Sequence, residues 1–306
     1  MDLWQLRIFC KVIEHRSFSR AAHAIHLSQP TISSHIQALE RHFGCRLIDR
    51  LAKEALPTSA GSVLQGYALK LMALSDETEA AMAAHLGATR GHLRVGASTI
   101  PGTYLLPAVI GGFTRRYPQV QVSLQIADSQ QILERVLGGD LEIGVIGSCS
   151  ADPAAVQEAL HEDELRLVVP AGHPWAAHAQ VTPAELADHP FVVREPGSGT
   201  LAALEAGLQR AGMSLDQLRI VAEMGNTAAV IQAIKSGVGV SILSPIAVAE
   251  ELARGTLVAL PVQGLVLKRS FLLTRHRQRT PSPLGRIFAQ FLRDVMGDPG
   301  AHGRPL

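Results

Sequence analysis

The stretch His26–Gly44, HLSQPTISSHIQALERHFG, decides how the chain is read. Ser28 is a good helix N-cap, and Pro30 fits only the first turn of a helix, where its missing N–H has no intrahelical partner to lose. Ile32, Ile36, Leu39 and Phe43 then fall, at about 100° per residue, within one narrow arc that faces a core, and Gly44 supplies the left-handed stop. The opposite face carries Pro30, Ser34, Gln37 and Arg41, with Gln29, Thr31 and Ser33 beside them. A purely structural three-helix bundle exposes long charged side chains, whereas most of these are short or amide-bearing. A Gln pairs with adenine in the major groove, a Thr methyl packs on thymine, and serines serve bases or phosphates. The face is therefore read as DNA-contacting, the alternative being an ordinary solvated polar surface.

Upstream, Leu3, Leu6, Phe9, Val12 and Ile13 recur at helical spacing, and Ala21, Ala22 and Ile25 open a second apolar face after a cap at Ser17 or Ser19. Two helices thus precede the third, the order of a helix-turn-helix. Downstream, Arg46, Arg50 and Lys53 flank Leu47, Ile48 and Leu56 in a stretch too short for another helix, read as a small β-wing with cations beside the phosphates. Residues 1–58 hold eight Lys/Arg against five Asp/Glu and five of the thirteen histidines, a balance of +3, while the rest of the chain stands at −2. A small basic N-terminal module on a slightly acidic body fits nucleic-acid binding.

After Gly61 the pattern changes. Leu64, Tyr67, Leu71, Leu74, Thr78, Ala81 and His85 step alternately by three and four residues, a heptad seam on a long helix capped by Thr58 and ending at Gly87. The simplest burial for this seam is a second copy of the chain; packing on the chain's own wing or body is the alternative. A dimer would set two recognition helices on successive major grooves of a two-fold symmetric operator.

From Leu93 onward strand and helix signals alternate. Strand-like runs span 93–97, 120–126, 141–146, 165–169, 191–193, 220–222, 238–243, 257–260 and 270–273, which predicts α/β architecture with largely parallel sheets. Ligands in such folds bind at strand carboxyl ends, near helix N-termini. Hydroxyls stand at those junctions: Ser98 and Thr99, Ser129, Ser198 with Gly199 and Thr200, and Asn226 with Thr227. Four such junctions converging would suit a small oxyanion or carboxylate, although each alone is also what plain helix capping produces. Arg194 either joins them or pairs with Glu195 or another acid.

With 306 residues, 47% hydrophobic and 18% charged, the composition is that of a globular protein of two domains. No apolar run approaches the roughly 18 residues of a membrane span, and the N-terminus follows no export pattern, so no membrane partner is expected. Three cysteines, Cys10, Cys45 and Cys149, without C-x-x-C spacing argue against disulfides and a cysteine zinc site and fit a reducing cytoplasm. Cys149 is read as a buried small apolar residue or a redox sensor. The dispersed histidines show no ligand spacing. Gly197-Ser198-Gly199 is not a nucleophile elbow, and dinucleotide, P-loop and H-E-x-x-H motifs are missing from the sequence, so neither an enzyme nor a cofactor is expected. The last residues, 297–303, read as a mobile tail.

The residues 17–22, 27–33, Ile36, Leu39-Glu40, Phe43-Gly44, Leu47, Arg50 and 57–61 together resemble the winged helix-turn-helix of the LysR-type transcriptional regulators. Length and domain order agree more loosely over the whole chain. The resemblance implies an α+β protein with three parts. These are a winged helix-turn-helix over 1–58, a dimerisation helix over 59–88, and a two-lobed periplasmic-binding-protein-like effector domain over 92–298. The lobes fall at about 92–163 with 268–298, and 164–267. It further implies an operator of double-stranded DNA contacted by Gln29, Pro30, Thr31, Ser33, Ser34, Gln37, Arg50 and Lys53. The effector positions carried over are Ser98, Thr99, Ser129, Gly147, Ser198, Thr200 and Asn226, and the assembly is a homodimer or homotetramer. Ser34 departs from the family, many of whose members have arginine there, so operator preference is not carried over. The segments 98–107 and 194–200 look most like members governing sulfur or cysteine metabolism, which points to sulfite or sulfate. A second class stays open: a cytoplasmic small-molecule binding protein whose N-terminal module tethers it to DNA or a partner without sequence preference.

Overall fold

The computed structural model of the chain describes residues 1–51, 54–85 and 89–297; within these, the side chains of residues 50, 51, 80, 81 and 83–85 are not described. Three helices come first: α1 (Leu3–His15), α2 (Phe18–Ala24) and α3 (Gln29–Phe43). Their ends follow the local chemistry. Ser17 Oγ accepts the N–H of Arg20, Ser28 Oγ accepts that of Thr31, and Gly44 terminates α3 at φ 68°. Leu6, Phe9, Val12, Ala21, Ile32, Ile36 and Leu39 fill one apolar cluster. Phe43, expected in that core, is 42% exposed and meets His42 edge-on. It lies on the correct arc, but the last turn of α3 runs past the helices it packs on. Leu3 is likewise exposed at the start of α1.

Strands β1 (Ile48–Leu51) and β2 (Glu54–Pro57) pair antiparallel as the wing, which Ala55 N–H ties to the α1–α2 turn through Arg16 O at 3.0 Å. Thr58 Oγ1 accepts the N–H of Gly61 at 3.0 Å and opens α4 (Ser59–His85). Along α4, Tyr67 is 64% exposed and Leu71 and Leu74 are also exposed, so the middle of the heptad seam faces away from its own chain, whereas Leu64, at its start, is half-buried against the N-terminal core. The expected stop at Gly87, and residues 298–303 of the expected tail, lie outside the described residues.

The remainder forms two lobes. Its elements are β3 (Gly91–Ser98), α5 (Leu106–Arg116), β4 (Val120–Ala127), α6 (Ser129–Gly138), β5 (Ile143–Ile146), β6 (Ala155–Glu164) and β7 (Arg166–Pro170), then α7 (Pro183–Asp188), β8 (Phe191–Arg194), α8 (Gly199–Arg210), β9 (Ile220–Met224) and α9 (Thr227–Lys235), and finally β10 (Ser241–Leu243), α10 (Ala249–Ala253), β11 (Leu257–Leu260), β12 (Lys268–His276) and α11 (Pro283–Met296). One sheet has the order β4-β3-β5-β12-β6, a second β10-β7-β11, and β8 pairs with β9. The expectation of largely parallel sheets holds for β3 with β4 and β5 and for β8 with β9. It fails for β12, antiparallel to β5 and β6, and for β7, antiparallel to β10 and β11. Strand β6 had no counterpart in the sequence reading, because AVQEALHEDE carries charges where a half-buried strand alternates. The chain crosses from β6 to β7 at Leu165, whose N–H bonds Leu267 O at 2.8 Å, and returns in β12. A single buried apolar cluster runs from Val95 and Phe288 to Val192 and Val230. No helix among the described residues is long and apolar enough to cross a membrane.

Candidate functional site

Two places concentrate the expected functional residues. On α3, Gln29, Pro30, Thr31, Ser34 and Gln37 are exposed and Ser33 is half-buried. Two hydrogen bonds hold this face in order before any contact: Gln29 Nε2 donates to Ser33 Oγ at 3.1 Å, and the hydroxyls of Ser28 and Thr31 hydrogen-bond to each other at 2.7 Å. Glu40 Oε1 accepts the N–H of Leu47 at 2.9 Å, fixing the approach of the wing to the helix. Arg50 lies within β1, its side chain undescribed, and Lys53 lies outside the described residues.

The second place is the cleft between the lobes. Ser98 ends β3 with Thr99 just beyond it, Ser129 opens α6, and Ser198 caps α8 by accepting the N–H of Thr200 at 3.3 Å. Ser98, Thr99, Ser129, Ser198 and Thr200 line one small, half-open space of about 10 Å³, the room of a single water. Ser129 does not cap its helix; Asp128 does, accepting the N–H of Gln131 at 2.8 Å, which leaves Ser129 Oγ to accept the N–H of Gly147 at 3.4 Å. Here the lobes touch. A Cβ on Gly199 would lie 2.7 Å from Gly147 O and 2.9 Å from Ser129 Oγ, so only glycine lets α8 approach that closely. Asn226 departs from the expected group: it is exposed and its side chain caps α9 by accepting the N–H of Ala229 at 2.8 Å. Its neighbour Thr227, fully buried, faces the cleft cations instead.

Those cations were the part the sequence reading missed or left undecided. Arg194, buried at the end of β8, donates from Nη1 to Thr227 Oγ1 at 2.6 Å and from Nη2 to Thr99 Oγ1 at 3.4 Å, touching hydroxyls of both lobes. It also pairs with Glu195, the alternative raised for it. Arg269 on β12 donates from Nη1 to Thr200 Oγ1 at 3.2 Å and twice to Asp163 Oδ2, at 2.9 and 2.8 Å. Asp163 Oδ1 in turn accepts from Ser244 Oγ at 2.7 Å. Burial pulls Arg269 below its ordinary value, opposed by Asp163 and aided by the neighbouring Arg194 charge. The cleft thus holds two guanidinium groups, five hydroxyls and the N-terminus of α8, an arrangement for gripping a small anion. Beside it opens a groove of about 540 Å³, also lined by Arg194 and Ser198. Cys149 lies on that groove, exposed rather than buried. Among the described residues no group of three or more His, Cys, Asp or Glu side chains is placed to hold a metal ion.

Comparison with known proteins gives two family matches. Residues 3–62 match the family described as bacterial regulatory helix-turn-helix protein, lysR family, and residues 86–297 match that described as LysR substrate binding domain. A RuBisCO operon transcriptional regulator of Acidithiobacillus ferrooxidans is 32% identical over 305 residues, 99% of this chain and 97% of the relative. The solved regulatory domain of CcmR from Synechocystis PCC6803, in complex with 2-PG, is similar with a TM-score of 0.63 and 25% identity, covering 68% of this chain and 98% of that one. The crystal structure of CbnR, a LysR family transcriptional regulator, has a TM-score of 0.72 and 21% identity over 97% of this chain and all of the other, a likeness of fold. The sulfur and cysteine subgroup finds no support here, the Acidithiobacillus ferrooxidans relative being named for RuBisCO regulation.

Proposed function

The chain belongs to the LysR family of DNA-binding transcriptional regulators that respond to a small-molecule effector, and from that premise we propose how its parts divide the work. Residues 1–58 bind a double-stranded operator. Gln29, Pro30, Thr31, Ser33, Ser34 and Gln37 meet base edges and adjoining phosphates, and Arg50 and Lys53 of the wing meet phosphates. Residues 59–88 join two copies; the exposure of Tyr67, Leu71 and Leu74 supports this, since an apolar stripe of that kind is costly in water. A homodimer, or a homotetramer built from two, acts in the cytoplasm. Residues 92–298 sense the effector, with lobes at 92–163 plus 268–298 and at 164–267. The chain is a regulator and not an enzyme.

The effector is a small anion held among Ser98, Thr99, Ser129, Gly147, Ser198 and Thr200. The observation that carries this is the pair Arg194 and Arg269 facing those hydroxyls across the lobe boundary. The 2-PG found in the CcmR regulatory domain, together with the RuBisCO regulators among the relatives, favours an organic anion over sulfite or sulfate, which share the charge class. The space has room for a single water, so an organic anion fits only if the lobes move apart there; the effector then shifts the balance between two arrangements of the dimer by its unequal affinity for them.

The test is the melting temperature of the purified chain against 2-PG, phosphate, sulfate, sulfite and small carboxylates. A ligand that binds only the folded state raises it by mass action. The expected result is a rise with one or more organic anions that is lost in Arg194→Met and Thr200→Ala. No rise with any anion at millimolar concentration would remove the anion reading.

A further inference from the structure

We propose that Glu195 sets how tightly the cleft takes its anion, because its carboxylate already occupies the edge of Arg194 that would grip one. The inference rests on the anion reading of the cleft and adds to it one residue and a selection rule. Arg194 Nε donates to Glu195 Oε2 at 2.6 Å and Nη2 donates to Oε1 at 2.5 Å. These are the two parallel N–H groups with which a guanidinium binds a carboxylate or phosphate bidentately. Thr227 and Thr99 take further donors, so the head group is engaged on every side.

Both cleft arginines carry a carboxylate, but only one carboxylate can leave. Asp163 is 2% exposed and its second oxygen is fixed by Ser244, so parting from Arg269 would strand a charge without solvent. Glu195 is 19% exposed at its side chain, and the hydrogen bonds its carboxylate makes both go to Arg194. Arg194 itself borders both the groove and the small half-open space. Glu195 can therefore turn into water and cede the edge to an incoming anion, while its place next to Arg194 in the chain keeps it at high effective concentration as an internal competitor. A neutral polyol of the same shape gains nothing, since it cannot replace the charge that leaves. Arg269 with Asp163 is the fixed half of the site, Arg194 with Glu195 the exchangeable half.

Titration calorimetry of the full chain with 2-PG and with inorganic phosphate tests this. Glu195→Gln keeps the shape and weakens the internal competitor, because hydrogen bonds to a neutral acceptor are roughly half as strong as those to a carboxylate. It is expected to bind both anions about tenfold more tightly than the wild type. Glu195→Asp keeps the charge but shortens the reach to both donors, and is expected to fall between the two; it carries the same comparison should the amide variant melt early. Arg194→Met is expected to lose binding. If the wild type binds and Glu195→Gln binds equally or more weakly, the inference is overturned and the anion site stands, with Glu195 then holding Arg194 in place for the ligand. If neither binds although both melt as folded proteins, the anion reading falls and the inference with it.

Discussion

Replacing Asp163 by Asn removes a single charge from the cleft and almost nothing else. The Asp163 and Arg269 side chains are 2% and 7% exposed and meet through two N–H donors at 2.9 and 2.8 Å, with Ser244 on the second oxygen. Asn keeps the volume and one carbonyl acceptor, so the packing survives while the guanidinium is left buried without compensation. Breaking a buried pair from one side costs about 3–5 kcal/mol, and the retained acceptor places this variant near the lower end, about 3 kcal/mol. An exposed pair such as Arg254 with Glu250 sets the contrast, since loss of a partner there costs about 0.5 kcal/mol. Urea unfolding followed by tryptophan fluorescence reads the difference, because Trp175 is buried in the lobe that contains Ser244. The loss is expected to be insensitive to added salt, which screens surface charges and not buried ones. The double variant Asp163→Leu with Arg269→Met removes both charges and is expected to regain most of the stability while abolishing anion binding. A loss below about 1 kcal/mol for Asp163→Asn, the size of a surface pair, would refute the reasoning, as would a double variant no more stable than the single one.

Three further outcomes are expected. Gln29→Ala and Ser33→Ala should each narrow the gap between operator and random DNA by about 1–3 kcal/mol in fluorescence anisotropy, whereas Arg46→Ala should weaken both roughly equally; equal losses in all three would remove the division into base and phosphate contacts. Leu71→Asp and Leu74→Asp put charges on the exposed seam of α4 and should lower the mass seen in sedimentation to that of one chain, while an unchanged mass would end the seam's role. Burial raises Glu142 above its ordinary 4.5, with the Ser282 donors opposing, so the folded chain holds that proton more readily than the unfolded one. The stability it adds is present below pH 4.5 and is lost as the pH climbs through the raised value, so wild type minus Glu142→Gln should fall as the pH rises above 4.5 in urea unfolding; a flat difference would contradict the assignment.

The helix-turn-helix was legible because its signals are local. Ser17, Ser28, Thr58 and Gly44 each act within four residues of their partners, and the apolar arcs need only the helical period. Phe43 escaped because an arc gives direction and not the length of the surface opposite. The cleft was half legible. Its hydroxyls sit at strand-to-helix junctions that any reader of an α/β chain inspects, yet Arg269 and Asp163 stand 106 positions apart and meet only through the register of β12 on β6. With β6 hidden behind its charges, nothing in the sequence brought the two together. The sulfur assignment came from segments around Ser98, at the end of β3, and Ser198, the cap of α8, where hydroxyls and backbone N–H groups suit any small anion and so do not choose between them.

The lobes are joined by two neighbouring antiparallel passages, cross-linked where Leu165 N–H meets Leu267 O and where Asp163 faces Arg269. A ribbon so narrow twists easily but resists sliding, because sliding would break its rungs in register. It therefore behaves as a torsion spring, small rotations at the pin becoming long arcs at the outer rims of the lobes. On the anion reading, a small turn of one lobe beside Arg194 would then reach the outer rims as a larger displacement.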